Sequence, residues 1–222
     1  MEKEYVMNEF PSITDQKVLS YFFLLQNQLN SLNELIGNIS TCTITNKTTL
    51  GLVIPILSRI EECSQSIAIL LSKNRVRDAS ILILNLYELR LDILYIALDS
   101  TRENIWMEHN NKSSKPWKVY AQLRQIFSNH DELSAEKNLY RNFSMVKHGN
   151  AAGKQTSFKI AFVPGGLLFS SDIPEQIIGH IHALGGLLQS SFQGAFQILV
   201  KYGISFPEIK IIGLSILSAK QK

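Results

Sequence analysis

Apolar residues recur at intervals of three and four along most of the chain, the spacing of one buried helix face. Val18, Leu19, Phe22, Leu25, Leu29, Leu32 and Ile36 define such a face over residues 15–36, with Thr14 placed to cap the start and Gly37-Asn38 to stop the end. The polar, β-branched stretch 40–49 reads as a loop. A second helix is expected from 49 to 72, with Pro55 near its first turn or kinking it. After a break at Lys73-Asn74, a third is expected over 76–100. Thr101-Arg102-Glu103 opens a short amphipathic piece that runs into the polar stretch 109–115. Pro116 suits the first turn of a helix reaching 128, and residues 132–147 form the next, closed by Gly149.

The period then changes. Phe158, Ile160 and Phe162 alternate with Ser157, Lys159 and Ala161, and Pro164-Gly165-Gly166 precedes a further apolar run, which predicts a β-hairpin within 154–171. Helical spacing returns over 173–200, and 208–219 could add a short terminal helix. The long helix carries Gly179, Ala183, Gly186, Ser190 and Gly194 at spacings of three and four. Such a stripe lets another helix approach closely, within the chain or across a dimer. The expectation is a mainly α fold, one helical domain over 1–222 with 1–48 as an N-terminal extension and a small hairpin at 154–171.

With 222 residues, 45% hydrophobic and 18% charged, the composition is that of a globular protein with a sizeable core. Two cysteines, Cys42 and Cys63, are too few for a disulfide framework or a four-cysteine zinc site. No secretory signal follows Met1, and Glu88, Arg90 and Asp92 interrupt the most apolar stretch, so a membrane span is not expected. A reduced, cytoplasmic protein is the expectation. The net charge of +3 is unevenly placed: residues 109–160 hold nine Lys/Arg against three acids, while the remainder is net negative. A basic segment suits an anionic ligand such as RNA, and equally a solvated lysine-rich face.

Chemistry concentrates in 139–150. Arg141 and His148 are seven residues apart, so on a helix they share a face about 10 Å apart along the axis, with Ser144 between them. A permanent guanidinium can hold a phosphate, and an imidazole can exchange protons near neutral pH. Together they suit metal-independent cleavage of an RNA phosphodiester. The bland reading is a histidine complementing a helix C-terminus and an arginine paired with an acid. Glu88, set among Leu84, Leu86, Leu89, Leu91 and Ile93, is expected to meet a basic group, with Arg141 the first candidate; alternatively Glu88, Arg90 and Asp92 form ordinary ion pairs.

Arg141-Asn142-x5-His148 has the form R-x(4–6)-H with a polar residue after the arginine, and resembles the signature of the HEPN superfamily (higher eukaryote and prokaryote nucleotide-binding). The Arg77-Asp78-Ala79 to Glu88-Leu89 stretch resembles that superfamily's long helix with an internal acid. The resemblance spans roughly residues 56–150. It implies a HEPN-like helical bundle, commonly a homodimer with two motifs facing, and a metal-independent endoribonuclease in toxin–antitoxin or antiphage defence. On that basis Arg141 binds the scissile phosphate, His148 transfers the proton, Asn142 orients the site and Glu88 fixes Arg141 or His148. Ser144 and Lys147 are candidate substrate contacts. No metal or cofactor is implied; RNA, a second copy, and an antitoxin or defence-system protein are the implied partners. One variant carries a tyrosine two residues after the histidine; Asn150 stands here, so that regulation does not carry over. The alternative is a non-catalytic HEPN-like subunit that binds RNA, a nucleotide or a partner protein. A helical structural or interaction protein with an accidental motif match is a third reading.

Other motifs carry less. Gly149 to Thr156 is one residue short of a phosphate-binding loop and has Gln155 where Ser/Thr belongs. His180 and His182, two apart on a helix, point to different faces and do not suggest a metal. Tyr87 and Tyr95 are expected to be core or interface residues.

Overall fold

In the computed structural model, residues 15–41, 47–109, 116–147, 160–163, 166–169 and 173–202 are described. They form seven helices and one pair of strands: α1 (Gln16–Thr41), α2 (Lys47–Ser72), α3 (Val76–Leu98), α4 (Thr101–His109), α5 (Val119–Ile126), α6 (His130–Lys147), β1 (Ile160–Val163), β2 (Gly166–Phe169) and α7 (Ile173–Lys201). The protein is mainly α. The two strands are antiparallel, with Ile160 opposite Phe169 and Val163 opposite Gly166.

Helix α3 is the axis of the bundle. It packs against α2, α4, α5, α6 and α7, while α1 lies across α2 and α7. Ile83, Leu84, Leu86, Tyr87, Leu91, Ile93 and Ile96 of α3 are all buried, so most of its circumference is dry, with a half-buried stripe through Ile81, Asn85 and Glu88. Burying one such side chain contributes about 1.5–3 kcal/mol. The same core takes in Phe22, Leu25 and Leu32 of α1, Leu52, Ile56, Leu57 and Ile60 of α2, Phe143 of α6, and Ile181, Leu184 and Ile198 of α7.

The helix ends follow local chemistry. Asp15 caps α1: its Oδ1 accepts the backbone N–H groups of Lys17 at 2.8 Å and Val18 at 3.2 Å, while Thr14 lies outside the described residues. Gly37-Asn38 does not stop α1, which continues to Thr41 because Ile39, one turn beyond Leu35 on the apolar face, is completely buried. Burial there outweighs the roughly 1 kcal/mol that a helical glycine costs. Helix α2 ends at the expected break in a Schellman motif. Asn74 takes φ 57°, its N–H reaches the Leu71 carbonyl at 3.0 Å, and the Arg75 N–H reaches that of Leu70 at 2.8 Å. Pro55 lies inside α2 rather than in its first turn.

The expectation of a helix from Pro116 to Ser128 is corrected: α5 spans only Val119–Ile126. Trp117 is held outside it, because its indole N–H donates to Asp92 at 3.0 Å and its ring packs on Tyr95 with centroids 5.1 Å apart. Phe127 leaves the helix early, placing its ring 5.3 Å from the Arg90 guanidinium. Helix α6 starts at His130, two residues before the expected start, because Asn129 Oδ1 accepts the Asp131 N–H at 2.8 Å. The proposed terminal helix over 208–219 lies outside the described residues. No helix among the described residues is long and apolar enough to cross a membrane.

The small-residue stripe of α7 divides. A Cβ on Gly194 would come within 3.1 Å of Ile93 Cγ2 and 3.3 Å of the Ile93 carbonyl carbon, so this glycine permits the close α3–α7 approach. Gly186 faces open space.

Candidate functional site

The expected site is built on the pairing of α3 with α6. Leu139, Tyr140 and Phe143 of α6 turn inward, and Phe143 is completely buried. That setting leaves Arg141 and Lys147 exposed, with Asn142, Ser144 and Met145 half-buried along the last two turns. Arg141 makes no ion pair or hydrogen bond among the described residues. His148, Asn150 and the Gly149–Thr156 loop lie outside the described residues, so Arg141, Asn142, Ser144 and Lys147 are the α6 portion of the motif that the structure positions.

Glu88 is half-buried on α3 and does not pair with Arg141. The Tyr140 hydroxyl, one position before that arginine, lies 3.5 Å from its Oε1. The buried ionic contact joins Arg90 to Glu136 instead. Nη1 and Nη2 of Arg90 donate to the two carboxylate oxygens at 2.8 and 2.9 Å, with the two side chains only 7% and 18% exposed. This fork-to-fork geometry is the strongest form of such a pair. Tyr87 donates to the same carboxylate at 2.6 Å, and the rings of Tyr87 and Phe127 flank the guanidinium. Arg90 Nε is buried with no acceptor among the described residues. Burial, and then the Glu136 carboxylate, push the Tyr87 phenol far above its ordinary range, so it remains a donor.

Asp92 is the other buried charge of α3. Its Oδ1 accepts from Trp117 and, at 2.7 Å, from the Gln122 amide. These contacts tether the 117–126 segment to the axis, and Arg90 tethers α6. Helical neighbours explain why Arg90 is the buried residue and Glu88 is not. Three and four residues from Arg90 stand Leu86, Tyr87, Ile93 and Leu94, all hydrophobic; the same positions around Glu88 include half-buried Asn85. Counting along the helix face, rather than along the chain, identifies Arg90.

An aromatic series runs outward from this centre. Tyr87 is fully buried and its ring lies 5.8 Å from that of half-buried Tyr140. Tyr140 in turn meets Tyr120 of α5 edge-to-face at 5.8 Å, and Tyr120 is 46% exposed. Burial, Glu88 and Tyr120 raise the Tyr140 phenol above its usual value. No sequence signal links positions 120 and 140, because their contact depends on how α5 folds back on α6.

Nearer the start of α3, His180 of α7 is completely enclosed, its ring 6.3 Å from that of Phe143 of α6. Its Nδ1–H donates to the Gln176 carbonyl at 2.8 Å, and its Nε2 lies 2.7 Å from Ser80 Oγ. Burial lowers its pKa to about 4, so the ring is neutral at pH 7, and the Ser80 hydroxyl shares its one proton between Nε2 and the Val76 carbonyl, 2.9 Å away. His182 points elsewhere and packs on Tyr21 of α1. Among the described residues no group of three His, Cys, Asp or Glu is arranged to hold a metal. Tyr87 and Tyr95 are both core residues. The chain matches no protein-family model, no curated protein and no solved structure.

Proposed function

We propose that the protein is a HEPN-like, metal-independent endoribonuclease, a cytoplasmic toxin or antiphage defence effector. The observation that carries this reading is Arg141: an exposed guanidinium with no carboxylate partner among the described residues, on the helix that ends one residue before His148. An unpaired guanidinium is free to meet a phosphate. In this reading Arg141 holds the scissile phosphate bidentately and stabilises the charge that develops on it. His148 takes the 2′-hydroxyl proton or returns one to the leaving oxygen. Asn142 and Ser144 orient the phosphate, and Lys147 contacts a neighbouring one. Glu88 acts through Tyr140, whose hydroxyl it faces. A second copy completes the site by bringing two motifs together, and an antitoxin or defence-system protein restrains it. A hairpin at 154–171 serves as a flap or docking edge.

The test compares wild type, Arg141→Ala and His148→Ala on single-stranded and structured RNA in EDTA. Cleavage should occur without metal and fall by roughly two orders of magnitude or more in each variant. Equal cleavage by wild type and His148→Ala would remove that histidine from the mechanism. Binding without cleavage would favour the non-catalytic RNA-binding subunit.

A further inference from the structure

The Tyr87–Tyr140–Tyr120 series passes from fully buried, through half-buried, to exposed. Each ring is fixed before the surface is reached. Tyr87 is held by Glu136, Tyr140 is set between the Tyr87 and Tyr120 rings with its hydroxyl facing Glu88, and Tyr120 packs edge-to-face on Tyr140. A large aromatic side chain 46% exposed yet pinned in this way loses little freedom when something flat covers it.

Its surroundings are cationic. Arg124 lies one helical turn from Tyr120 on α5 and is exposed, as is Lys118 before the helix. On α6, Lys137 and exposed Arg141, four residues apart on one face, lie beside Tyr140. The acid next to Lys137, Glu136, turns inward and is neutralised by Arg90. Glu88 is the carboxylate at the series, and it faces the Tyr140 hydroxyl rather than the exposed ring of Tyr120.

We propose that Tyr120, backed by Tyr140 and flanked by Lys118, Arg124, Lys137 and Arg141, is a base-stacking platform for single-stranded RNA beside the motif face of α6. This rests on the RNA reading above and adds the form of RNA recognised. A ring between cations binds one unstacked base while the cations take the adjoining phosphates. Duplex RNA keeps its bases stacked and presents no free base face.

The test measures binding by fluorescence anisotropy with labelled 2′-O-methyl oligoadenylate, which lacks the 2′-hydroxyl nucleophile, so that binding is read separately from cleavage. Wild type should bind it more tightly than an RNA duplex. Tyr120→Ala should weaken binding by roughly tenfold, the effect of losing one stacked base. Tyr120→Leu, which keeps apolar bulk but loses the ring, should weaken it similarly and guards against misfolding of the alanine variant. Tyr120→Trp should retain it. Phe23→Ala, removing a comparably exposed aromatic on α1, should bind as wild type. If Tyr120→Ala and Tyr120→Leu bind normally while Arg141→Ala does not, the platform is wrong and the RNA reading stands. If wild type binds no RNA, both fall. Displacement by poly-L-glutamate as effective as by oligoadenylate would make this a face for acidic proteins and overturn the proposal.

Discussion

Helices α6 and α7 lie against the same axis and are joined to it in opposite ways. Helix α6 meets α3 through an arginine, a carboxylate and a phenol; α7 meets it through a neutral histidine, a serine and a glycine laid against backbone. The difference follows from what each helix can bury. Helix α7 is rich in apolar residues, and Ile177, Ile181, Leu184, Leu188, Ile198 and Leu199 supply its adhesion. Helix α6 has few, with Phe143 the one fully buried large side chain among its described residues. A sparse apolar face leaves the rotation of a helix loosely determined. The two-pronged Arg90–Glu136 contact admits one setting, and that setting turns Arg141 outward.

The sharpest way to break this comparison is at Glu136. Glu136→Leu leaves the Arg90 charge buried and should cost about 3–5 kcal/mol in urea unfolding. The double variant Arg90→Met, Glu136→Leu should recover most of that loss. A single variant as stable as wild type would mean that the contact holds nothing.

Acid should act on the other seam. His180 takes a proton near pH 6.5 when unfolded and only at about pH 4 when folded. Its contribution is therefore complete above pH 6.5 and is lost as pH falls toward 4, at up to about 1.4 kcal/mol per pH unit. The pH slope of unfolding in His180→Gln should be shallower by that amount; an unchanged slope would place the acid sensitivity elsewhere.

The two glycines of α7 should respond with opposite signs. Gly194→Ala meets Ile93 and should destabilise by about 1–2 kcal/mol, while Gly186→Ala, in open space, should stabilise by about 0.4–1 kcal/mol. Thermal melts of the two variants moving the same way would remove Gly194 from the close approach. A comparably small effect belongs to Tyr87→Phe. It deletes one donor to Glu136 and should cost about 1 kcal/mol, with Arg90 keeping the carboxylate in place.

Most of the helical plan is legible in the sequence, because the apolar spacing of α3 and α7 reflects burial directly. What the pattern misplaces are ends set by other forces. Buried Ile39 carries α1 through a glycine, and Trp117, drawn to Asp92, delays α5. The placement of Arg141, Ser144 and Lys147 on one exposed-to-half-buried stretch of α6 is likewise legible from helical spacing. The partner of Glu88 is not, because it depends on the register between two helices far apart in the chain. Nor is the Tyr120–Tyr140 contact, which requires the turn between α5 and α6.

The Arg90–Glu136 pair also constrains how this chain can change. Two apolar residues in its place would serve about as well energetically. Reaching them one substitution at a time passes through an intermediate with a stranded charge. The cost, about 3–5 kcal/mol, is a large share of the 5–15 kcal/mol that holds a typical domain folded. The pair is thus an epistatic lock: lineages descended from this sequence should keep both residues or exchange both, and rarely be found with one.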